Sequence, residues 1–284
     1  MSDSPQTQID GSVSTRILRH ADGEDSLRDD LLVVEEPIEI GLKTAEGLID
    51  LGIAMRTPGD DRNLITGFLY NEGIITSAAD LKGIIFKTAT EATLPATRVI
   101  IELANHIPVD SERYKRSFPI SSACGACGKS ALESLKILRS EPLAVTPNCL
   151  NTSLLLSLGK RLFDEQSLFA RTGGLHASGR FDLQGNLLEL AEDVGRHNAL
   201  DKLAGKAVLK GQTSWEHHLL LLSGRVGYDL MQKAIMLGCP IVAAIGAPSS
   251  LAVELASLYN ITLIGFLKTN RFNTYTHPER LIPS

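Results

Sequence analysis

The fold is decided by residues 218–267, which read HLLLLSGRVGYDLMQKAIMLGCPIVAAIGAPSSLAVELASLYNITLIGFL. Three short apolar runs, at 218–223, 240–245 and 261–267, have the length of buried strands. Between these runs, apolar residues recur at helical spacing, which predicts two helices. Consecutive strand–helix–strand units form right-handed crossovers. The stretch therefore predicts an α/β fold with a mostly parallel sheet covered by helices.

Outward from this stretch, the chain divides into three portions. Residues 1–29 are polar and acidic, and they are predicted to form a disordered tail. Residues 30–148 hold several short strand-like runs and form a β-rich N-terminal portion that ends in a cysteine loop at 121–129. Residues 149–284 are predicted to form a C-terminal α/β domain.

Local signals place two more elements. The run P-G-D-D predicts a helix with its N-cap at Asp60 or Asp61, and Gly73 is the predicted stop. The Gln184-Gly185 pair separates two alternating runs, which predicts a β-hairpin.

Composition limits the class of protein. Hydrophobic residues make up 43% of the 284 residues and charged residues 21%, which is typical of an ordinary globular protein. The net charge of −5 argues against broad nucleic-acid binding, since that function usually needs a basic surface. The polar, acidic start does not resemble a signal peptide, and no run approaches the roughly 20 apolar residues of a membrane span. We therefore expect a cytoplasmic protein that binds neither nucleic acid nor membrane.

The cysteines indicate chemistry rather than disulfide bonding, because structural disulfides are rare in cytosolic proteins. Cys124 and Cys127 form the run C-G-A-C-G, which has three interpretations: half of a zinc site, a thioredoxin-like redox pair, or a nucleophilic loop that carries sulfur. Cys149 and Cys239 stand alone, and no histidine pair has a zinc-like spacing. Cys239 heads an apolar run and is predicted to be a small buried hydrophobic residue.

The surroundings of the cysteine run favour the sulfur-carrying interpretation. Gly125 and Gly128 free the backbone to approach another surface closely. Lys129 and the preceding basic residues favour thiolate over thiol, and the thiolate is the reactive form in sulfur exchange. Inert packing is the alternative, but the loop offers little apolar surface against which the cysteines would be buried.

Glycine turns and basic side chains in the C-terminal half are candidate anion-binding elements. The S-G-R turn follows a predicted strand and opens a predicted helix, where free N–H groups favour phosphate. T-G-G-L-H is a second glycine turn, and E-D-V-G-R-H contains a predicted helix start. The candidate contact residues are Thr172, Gly173, Gly174, His176, Arg196, His197, Ser223, Gly224 and Arg225.

Each of these elements also has a plainer interpretation, as a strand–helix turn, a satisfied histidine or a polar surface helix. Convergence favours a site, because ligands of open α/β sheets collect beyond the carboxyl ends of the strands. The S-G-R turn, the G-A-P-S-S turn and the K-T-N-R stretch all follow predicted strands. Within the helix start, His197 is a candidate acid or base, and Asp193 is a candidate to orient Arg196. Asp201 and Lys202 are a candidate ion pair on the surface.

Several long motifs, in one order, resemble the FdhD family of formate dehydrogenase accessory sulfurtransferases. Together they cover most of the chain from about residue 31 onward. The matching stretches are CGACGK at 124–129, RTGGLHASG at 171–179, EDVGRHNALDK at 192–202, SGRVGYDL at 223–230, GAPSSLAVELA at 246–256 and GFLKTNRFNTYTHPER at 265–280.

This resemblance implies a specific role and fold. Members take sulfur, as a persulfide, from a cysteine desulfurase. They pass it to the molybdenum cofactor in its bis-molybdopterin guanine dinucleotide form, before that cofactor enters formate dehydrogenase. The implied fold is a cytidine-deaminase-like α/β core with a smaller β-rich N-terminal domain, assembled as a homodimer.

The resemblance also carries residue roles. Cys124 matches the persulfide carrier, and Cys127 matches its neighbour, a relay or resolving thiol. The stretch assigned to cofactor binding matches Phe266, Leu267, Lys268, Thr269, Asn270 and Arg271. No permanent metal is implied.

Two other functions compete with sulfur transfer. The first is a non-catalytic chaperone that binds the molybdenum cofactor and docks on formate dehydrogenase. The second is a nucleotide-binding redox or deaminase-like enzyme. Zinc deaminases need an H-x-E and a P-C-x-x-C sequence. Here Ala177 and Ser178 follow His176, and no second cysteine follows Cys239.

Overall fold

A computed structural model describes residues 8–9, 11–88, 96–108 and 141–282 of the chain. The strands are β1 (Gln8–Ile9), β2 (Ser12–Ala21), β3 (Glu24–Val33), β4 (Glu36–Thr44), β5 (Gly47–Arg56), β6 (Leu81–Thr88), β7 (Thr97–Leu103), β8 (Leu150–Asn151), β9 (His176–Asp182), β10 (Leu187–Asp193), β11 (His218–Leu222), β12 (Ile241–Ala244), β13 (Thr262–Gly265), β14 (Asn273–Thr276) and β15 (Leu281–Ile282). The α-helices are α1 (Asp61–Asn71), α2 (Thr152–Glu165), α3 (Ser167–Thr172), α4 (Arg196–Leu209), α5 (Tyr228–Met236) and α6 (Ser250–Leu258).

The C-terminal sheet has the strand order β10-β9-β11-β12-β13-β14. Its centre confirms the sequence prediction, because β11, β12 and β13 are parallel neighbours. The prediction of a mostly parallel sheet is nevertheless wrong. The β9–β10 hairpin and β14 add antiparallel pairs on both sides. Hairpins and short returns without a helix can join only antiparallel strands, so the complete sheet is mixed.

Alternation along β11 explains why helices cover both faces of this sheet. Successive strand residues point to opposite faces. Leu219 and Leu221 accordingly pack in a cluster with α2, whereas Leu220 and Leu222 pack in a second cluster with α1, α4 and α5. All four leucines are buried. The continuous apolar run in the sequence therefore indicates a strand that is buried on both faces.

The N-terminal portion contains a four-stranded sheet of order β5-β4-β7-β6, against which α1 packs. The predicted helix is confirmed: Asp60 is the N-cap residue, the helix ends at Asn71, and Gly73 adopts a φ of 66°. Residues of this sheet and of α4 and α5 share one hydrophobic cluster, so the core is continuous between the two portions.

The prediction of a disordered tail over residues 1–29 is wrong for residues 11–29, which belong to the β2–β3 hairpin and the turn before it. Asp22 and Gly23 form its two-residue turn with φ values of 54° and 79°. Two positive φ values are the mark of a type I′ turn, for which Asp-Gly is a preferred sequence. The two strands pair along their whole length, from Ser12 with Val33 to Ala21 with Glu24, and the exposed Arg16 and Asp29 face each other at 3.7 Å.

Two glycines allow an unusually close crossing of α1 and α4. A Cβ atom on Gly67 would lie 1.8 Å from the backbone oxygen of Asp201. A Cβ atom on Gly205 would lie 1.9 Å from the backbone oxygen of Asn63. Backbone therefore meets backbone at this crossing, which lies in the middle of α4.

The Asp80 carboxylate stabilises the turn that precedes β6. It accepts hydrogen bonds from the Thr76 backbone N–H at 2.7 Å, the Thr76 hydroxyl at 2.9 Å and the Ser77 N–H at 3.1 Å, and His106 Nε2 lies 3.1 Å away. Burial alone would raise the pKa of Asp80, but these hydrogen bonds outweigh it and lower the pKa to about 2.

We expect Asp80→Ala to lower the free energy of unfolding by about 2 kcal/mol at pH 7, because three hydrogen bonds to a carboxylate are lost. The pKa of Asp80 is lower in the folded state than in the unfolded state. Its contribution is therefore present above about pH 4 and is lost as the pH falls toward 2. Urea unfolding at several pH values measures this. Asp164→Ala, in an exposed pair with Lys160, is the control and should change stability little. Equal losses in the two variants would contradict the prediction.

In the part of the chain that the structure describes, none of the helices combines the length and the apolar character needed to cross a membrane.

Candidate functional site

The carboxyl ends of β11, β12 and β13 meet at one edge of the sheet, as the sequence predicted. Backbone hydrogen bonds join the segments that follow these strands: Gly246 N–H donates to the Gly224 oxygen at 3.2 Å, and Phe266 N–H donates to the Gly246 oxygen at 3.0 Å. The S-G-R, G-A-P-S-S and K-T-N-R segments are thus neighbours in the order of the strands. We call this group of segments the carboxyl edge.

The S-G-R turn is anchored to β9 rather than to a helix. Ser223 N–H donates to the Ala177 oxygen at 3.0 Å, and the Ser223 hydroxyl accepts from Ala177 N–H at 2.8 Å. The prediction that S-G-R opens a helix is wrong, because α5 begins at Tyr228, after Gly227 as N-cap. The helix dipole is therefore not centred on this turn. Arg225 is exposed at the carboxyl edge.

His176 and Arg196 lie beside the S-G-R turn. A Cβ atom on Gly224 would lie 3.3 Å from His176 Nδ1 and 3.8 Å from Arg196 Cδ, so glycine leaves room for both side chains. Arg196 is the first residue of α4, which confirms the predicted helix start after Gly195. Burial lowers the pKa of His176, and the nearby charge of Arg196 lowers it further.

His197 is the second residue of α4. Burial lowers its pKa to about 3, with further contributions from the charges of Lys233, Arg196 and His176. Its Nε2 atom lies 3.8 Å from the Asp229 carboxylate. The lowered pKa favours the neutral imidazole near neutral pH, and the predicted role of His197 as an acid or base stays a prediction.

The T-G-G turn is occupied by contacts within the fold. Gly173 ends α3 with a φ of 68°, and the Thr172 hydroxyl donates to the Leu168 oxygen at 2.9 Å. A Cβ atom on Gly174 would lie 2.9 Å from the Val33 side chain. These contacts account for Thr172, Gly173 and Gly174 as the end of α3, which packs against β3. Their predicted ligand contact stays a prediction.

The stretch after β13 forms a tight, exposed turn. Phe266 has a φ of 52°, which is rare for a residue with a side chain, and its ring is exposed. Lys268 N–H donates to the Arg271 oxygen at 2.8 Å, which places Thr269 and Asn270 at the tip. The side chains of residues 268–271 are exposed at the carboxyl edge.

Leu267 differs from its neighbours in this stretch. Its side chain is buried in the cluster with α2, and its backbone N–H donates to the Ala244 oxygen. The Leu267 side chain is therefore part of the core, and the predicted contact of this residue with the cofactor stays a prediction. Its apolar character belongs to the core.

Two buried ion pairs brace α4. The expectation that Asp201 and Lys202 pair with each other on the surface is wrong, because both residues are buried and bind different partners. Lys202 Nζ lies 2.7 Å from Asp193, and Lys233 Nζ lies 2.5 Å from Asp201. Neighbours in a helix point about 100° apart, so adjacent charges rarely pair with each other.

Asp193 positions the start of α4. Its carboxylate accepts from Gly195 N–H at 2.8 Å and from Thr57 N–H at 3.1 Å. Asn198 adds a second link to the N-terminal portion by donating to the Met55 oxygen at 2.7 Å. The sequence analysis missed Thr57 and Asn198, because no local pattern relates residues separated by more than 130 positions.

The profile of the FdhD/NarQ family matches residues 33–282. The chain belongs to this family.

Curated relatives match over nearly the full length of this FdhD/NarQ chain. It is 40% identical to the protein named "Sulfur carrier protein FdhD" of Streptomyces coelicolor, over 94% of each chain. It is 38% identical to the protein of the same name from Picrophilus torridus, over 89% of this chain and 92% of the relative. A crystal structure of a candidate formate dehydrogenase accessory protein from Desulfotalea psychrophila is similar in fold. Its TM-score is 0.71 with 25% identity, covering 96% of this chain and all of that one.

The cysteines of this FdhD/NarQ chain divide into two groups. Cys124 and Cys127 lie outside the residues that the structure describes, although both fall within the family match. Cys239 is fully buried, which confirms the prediction of a small buried hydrophobic residue. Its Sγ lies 3.3 Å from the Ile241 oxygen, and burial raises the pKa of the thiol to about 12. Cys149 is half-buried, and burial raises its pKa also.

We expect iodoacetamide to leave Cys239 unmodified in the folded protein at pH 7.5, because the thiolate is the reactive form and the sulfur is inaccessible. Peptide mass spectrometry after timed labelling measures the modification of each cysteine. Labelling in 8 M urea, which we expect to modify all four, is the control. Labelling of Cys239 in the folded protein as fast as in urea would disprove this account of its environment.

Proposed function

We propose that this chain is a sulfur carrier. It takes persulfide sulfur from a cysteine desulfurase and transfers it to the molybdenum cofactor, in its bis-molybdopterin guanine dinucleotide form, before insertion into formate dehydrogenase. The observation that carries this proposal is the family match over 33–282, which includes the C-G-A-C-G run. The names of the curated relatives support the sulfur-carrier role.

Sulfur acceptance is proposed to occur at Cys124. The Cys124 thiolate attacks the outer sulfur of the persulfide on the desulfurase. A new S–S bond forms at Cys124, the S–S bond of the donor breaks, and the desulfurase cysteine leaves as a thiolate. Electrons and atoms balance without an added oxidant. Cys127 is proposed to assist as a relay or resolving thiol.

The carboxyl edge is proposed to bind the cofactor, which enters the reaction as the substrate. Guanine dinucleotides carry phosphates, and arginine and lysine side chains bind phosphate through charge-assisted hydrogen bonds. Arg225, Lys268 and Arg271 expose their side chains at this edge, with Arg196 beside Gly224. The exposed Phe266 ring supports the proposal, since aromatic faces stack on bases.

Further parts of the proposal concern the assembly. We propose a homodimer located in the cytoplasm, with the cysteine desulfurase and the catalytic subunit of formate dehydrogenase as partners. The cytidine-deaminase-like arrangement of the core is likewise a proposal. The parallel centre of the C-terminal sheet, covered by helices on both faces, is compatible with it.

Intact-mass spectrometry after incubation with a cysteine desulfurase and cysteine tests the sulfur-carrier function. We expect a mass gain of one sulfur atom that maps to the peptide containing Cys124 and Cys127 and that a reducing agent removes. A desulfurase without cysteine is the control. If the desulfurase turns over while this peptide gains no sulfur, the proposal fails. If formate dehydrogenase matures normally when both Cys124 and Cys127 are replaced, the result favours the chaperone function instead.

A further inference from the structure

A cleft of about 590 Å³ opens at the end of β11 that is opposite to the carboxyl edge. His218, the first residue of β11, lies in its wall, whereas the last residue of that strand, Leu222, precedes the S-G-R turn. We call this cavity the Arg180 cleft. The residues of its wall that matter here are Arg180 of β9, Leu188 and Glu189 of β10, Lys210 and Gln212 after α4, and His218.

Arg180 supplies a buried positive charge to this cleft. Its side chain is 4% exposed, and its guanidinium lies over the ring of the buried Trp215, 5.2 Å from the ring centroid. The buried Glu189 carboxylate lies 3.0 Å from Nη2 of Arg180. Nε and Nη1 of Arg180 have no hydrogen-bond acceptor among the residues that the structure describes. A guanidinium has five N–H donors, so this one is only partly satisfied.

Gln212 supplies a neutral acceptor to the same guanidinium. Its Oε1 atom accepts a hydrogen bond from Arg180 Nη2, although Gln212 is an exposed residue. A carboxylate has the planar shape of a carboxamide, with a second oxygen in place of the nitrogen. A ligand carboxylate can therefore replace the Gln212 amide at this position. The exchange gives the guanidinium a charged acceptor, which it binds more strongly than a neutral one.

The charges around the cleft favour a ligand with one negative charge. Lys210 Nζ lies 2.6 Å from Glu189 Oε1, and Arg180 lies beside Oε2, so two cations share one carboxylate. Burial lowers the pKa of His218, which favours its neutral form. The cleft therefore retains one positive charge, which matches a carboxylate better than a doubly charged phosphate. The Lys210 side chain is 59% exposed and so is open to a ligand.

The end of α4 adds little negative charge to the cleft. The last carbonyls of a helix carry partial negative charge when they have no donor. Here the backbone N–H groups of Lys210, Gly211 and Gln212 donate to the oxygens of Ala207 and Val208 at 2.8 to 3.1 Å. These carbonyls are already paired, so the helix end does not offset the charges of the side chains.

We propose that the Arg180 cleft binds a small carboxylate, with Arg180 and Lys210 as its cationic contacts and Gln212 as the group that it displaces. The exposed Leu188 side chain in the same wall offers an apolar surface to a short hydrocarbon tail. This site is separate from the carboxyl edge, and the proposal does not rest on the proposed function.

The fluorescence of Trp215, the single tryptophan of the chain, tests this proposal because Arg180 lies over its ring. Sodium butyrate is the probe, and butyramide is its uncharged analogue of nearly equal size. At constant ionic strength we expect saturable binding of butyrate with a Kd on the order of 1 mM. We expect butyramide to bind at least about tenfold more weakly. Isothermal titration calorimetry measures the same constants without relying on fluorescence.

Variants of the exposed Gln212 make the test specific to this cleft. Gln212→Ala removes the competing acceptor, so we expect butyrate to bind about fivefold more tightly. Gln212→Glu supplies a carboxylate from the chain itself, so we expect butyrate to bind at least about tenfold more weakly. The same two changes at Gln184, an exposed residue outside the cleft wall, are the controls and should leave the Kd unchanged.

Equal affinities for butyrate and butyramide in calorimetry would overturn the proposal. A butyrate Kd that neither Gln212 substitution changes would also overturn it. Inorganic phosphate, titrated under the same conditions, tests the choice of ligand, and tighter binding of phosphate than of butyrate would reject the assignment to a carboxylate. Sulfur loading on the cysteine run should be normal in the Gln212 variants, so failure of the sulfur-carrier function and failure of this inference are distinguishable.

Discussion

Cys124→Ala is expected to reduce the maturation of formate dehydrogenase to the background of cells that lack this chain. A methyl group can neither form a persulfide nor attack one, so sulfur transfer loses its carrier atom. Formate oxidation in extracts of complemented cells measures the effect, and mass spectrometry of the purified variant should find no sulfur added at residue 124. This is the largest change in activity that we expect from a single substitution.

Cys149→Ala is the matched control for this experiment. It makes the same chemical change at a half-buried cysteine outside the C-G-A-C-G run, and we expect near-normal maturation. Cys127→Ala tests whether Cys127 assists the transfer or carries the sulfur itself. Sulfur should still load on Cys124, while its delivery to the cofactor slows if Cys127 is a relay. Full maturation by a folded Cys124→Ala protein would rule out Cys124 as an obligatory carrier.

Gly67→Ala is expected to destabilise the fold by about 3 kcal/mol, the largest loss of stability that we expect from one added methyl group. Two effects oppose each other at this position. Alanine is the better helix former by about 1 kcal/mol. However, its Cβ atom would lie 1.8 Å from the Asp201 oxygen, so α1 and α4 must separate. The clash is with backbone, which has no rotamer to relieve it, and we therefore expect the clash to dominate.

Urea unfolding of Gly67→Ala measures this loss. Gly83→Ala is the control, because a Cβ atom at Gly83 would meet nothing within 4 Å. It should change the free energy of unfolding by less than about 1 kcal/mol. Wild-type stability in Gly67→Ala would mean that the helices do not cross this closely.

Predictions from local sequence patterns succeeded where the structural feature depends only on residues that are close together in the chain. The three apolar runs became β11, β12 and β13, and the Gln184-Gly185 pair became a hairpin turn. The helix start at Asp60 followed from residues within one turn of it. Strand alternation, helix capping and turn formation each depend on a few neighbouring residues, so short stretches of the sequence predict them.

The errors have identifiable causes. The β2–β3 hairpin was predicted as disordered from its charge and polarity, although the Asp22-Gly23 turn signal was present. Asp201 and Lys202 were paired because they are adjacent, although neighbours on a helix point about 100° apart and each of the two binds a different partner.

The sequence by itself determined the parallel strands at the centre of the C-terminal sheet and the turns that follow them, because both depend on consecutive residues. Only the tertiary structure decided which charges pair. Asp193 meets Lys202 and Thr57, and Asp201 meets Lys233 and Asn71. The lowered pKa of His197 is also a tertiary property. It arises from burial and from charges on other elements, and these are set by how the helices dock rather than by any local pattern.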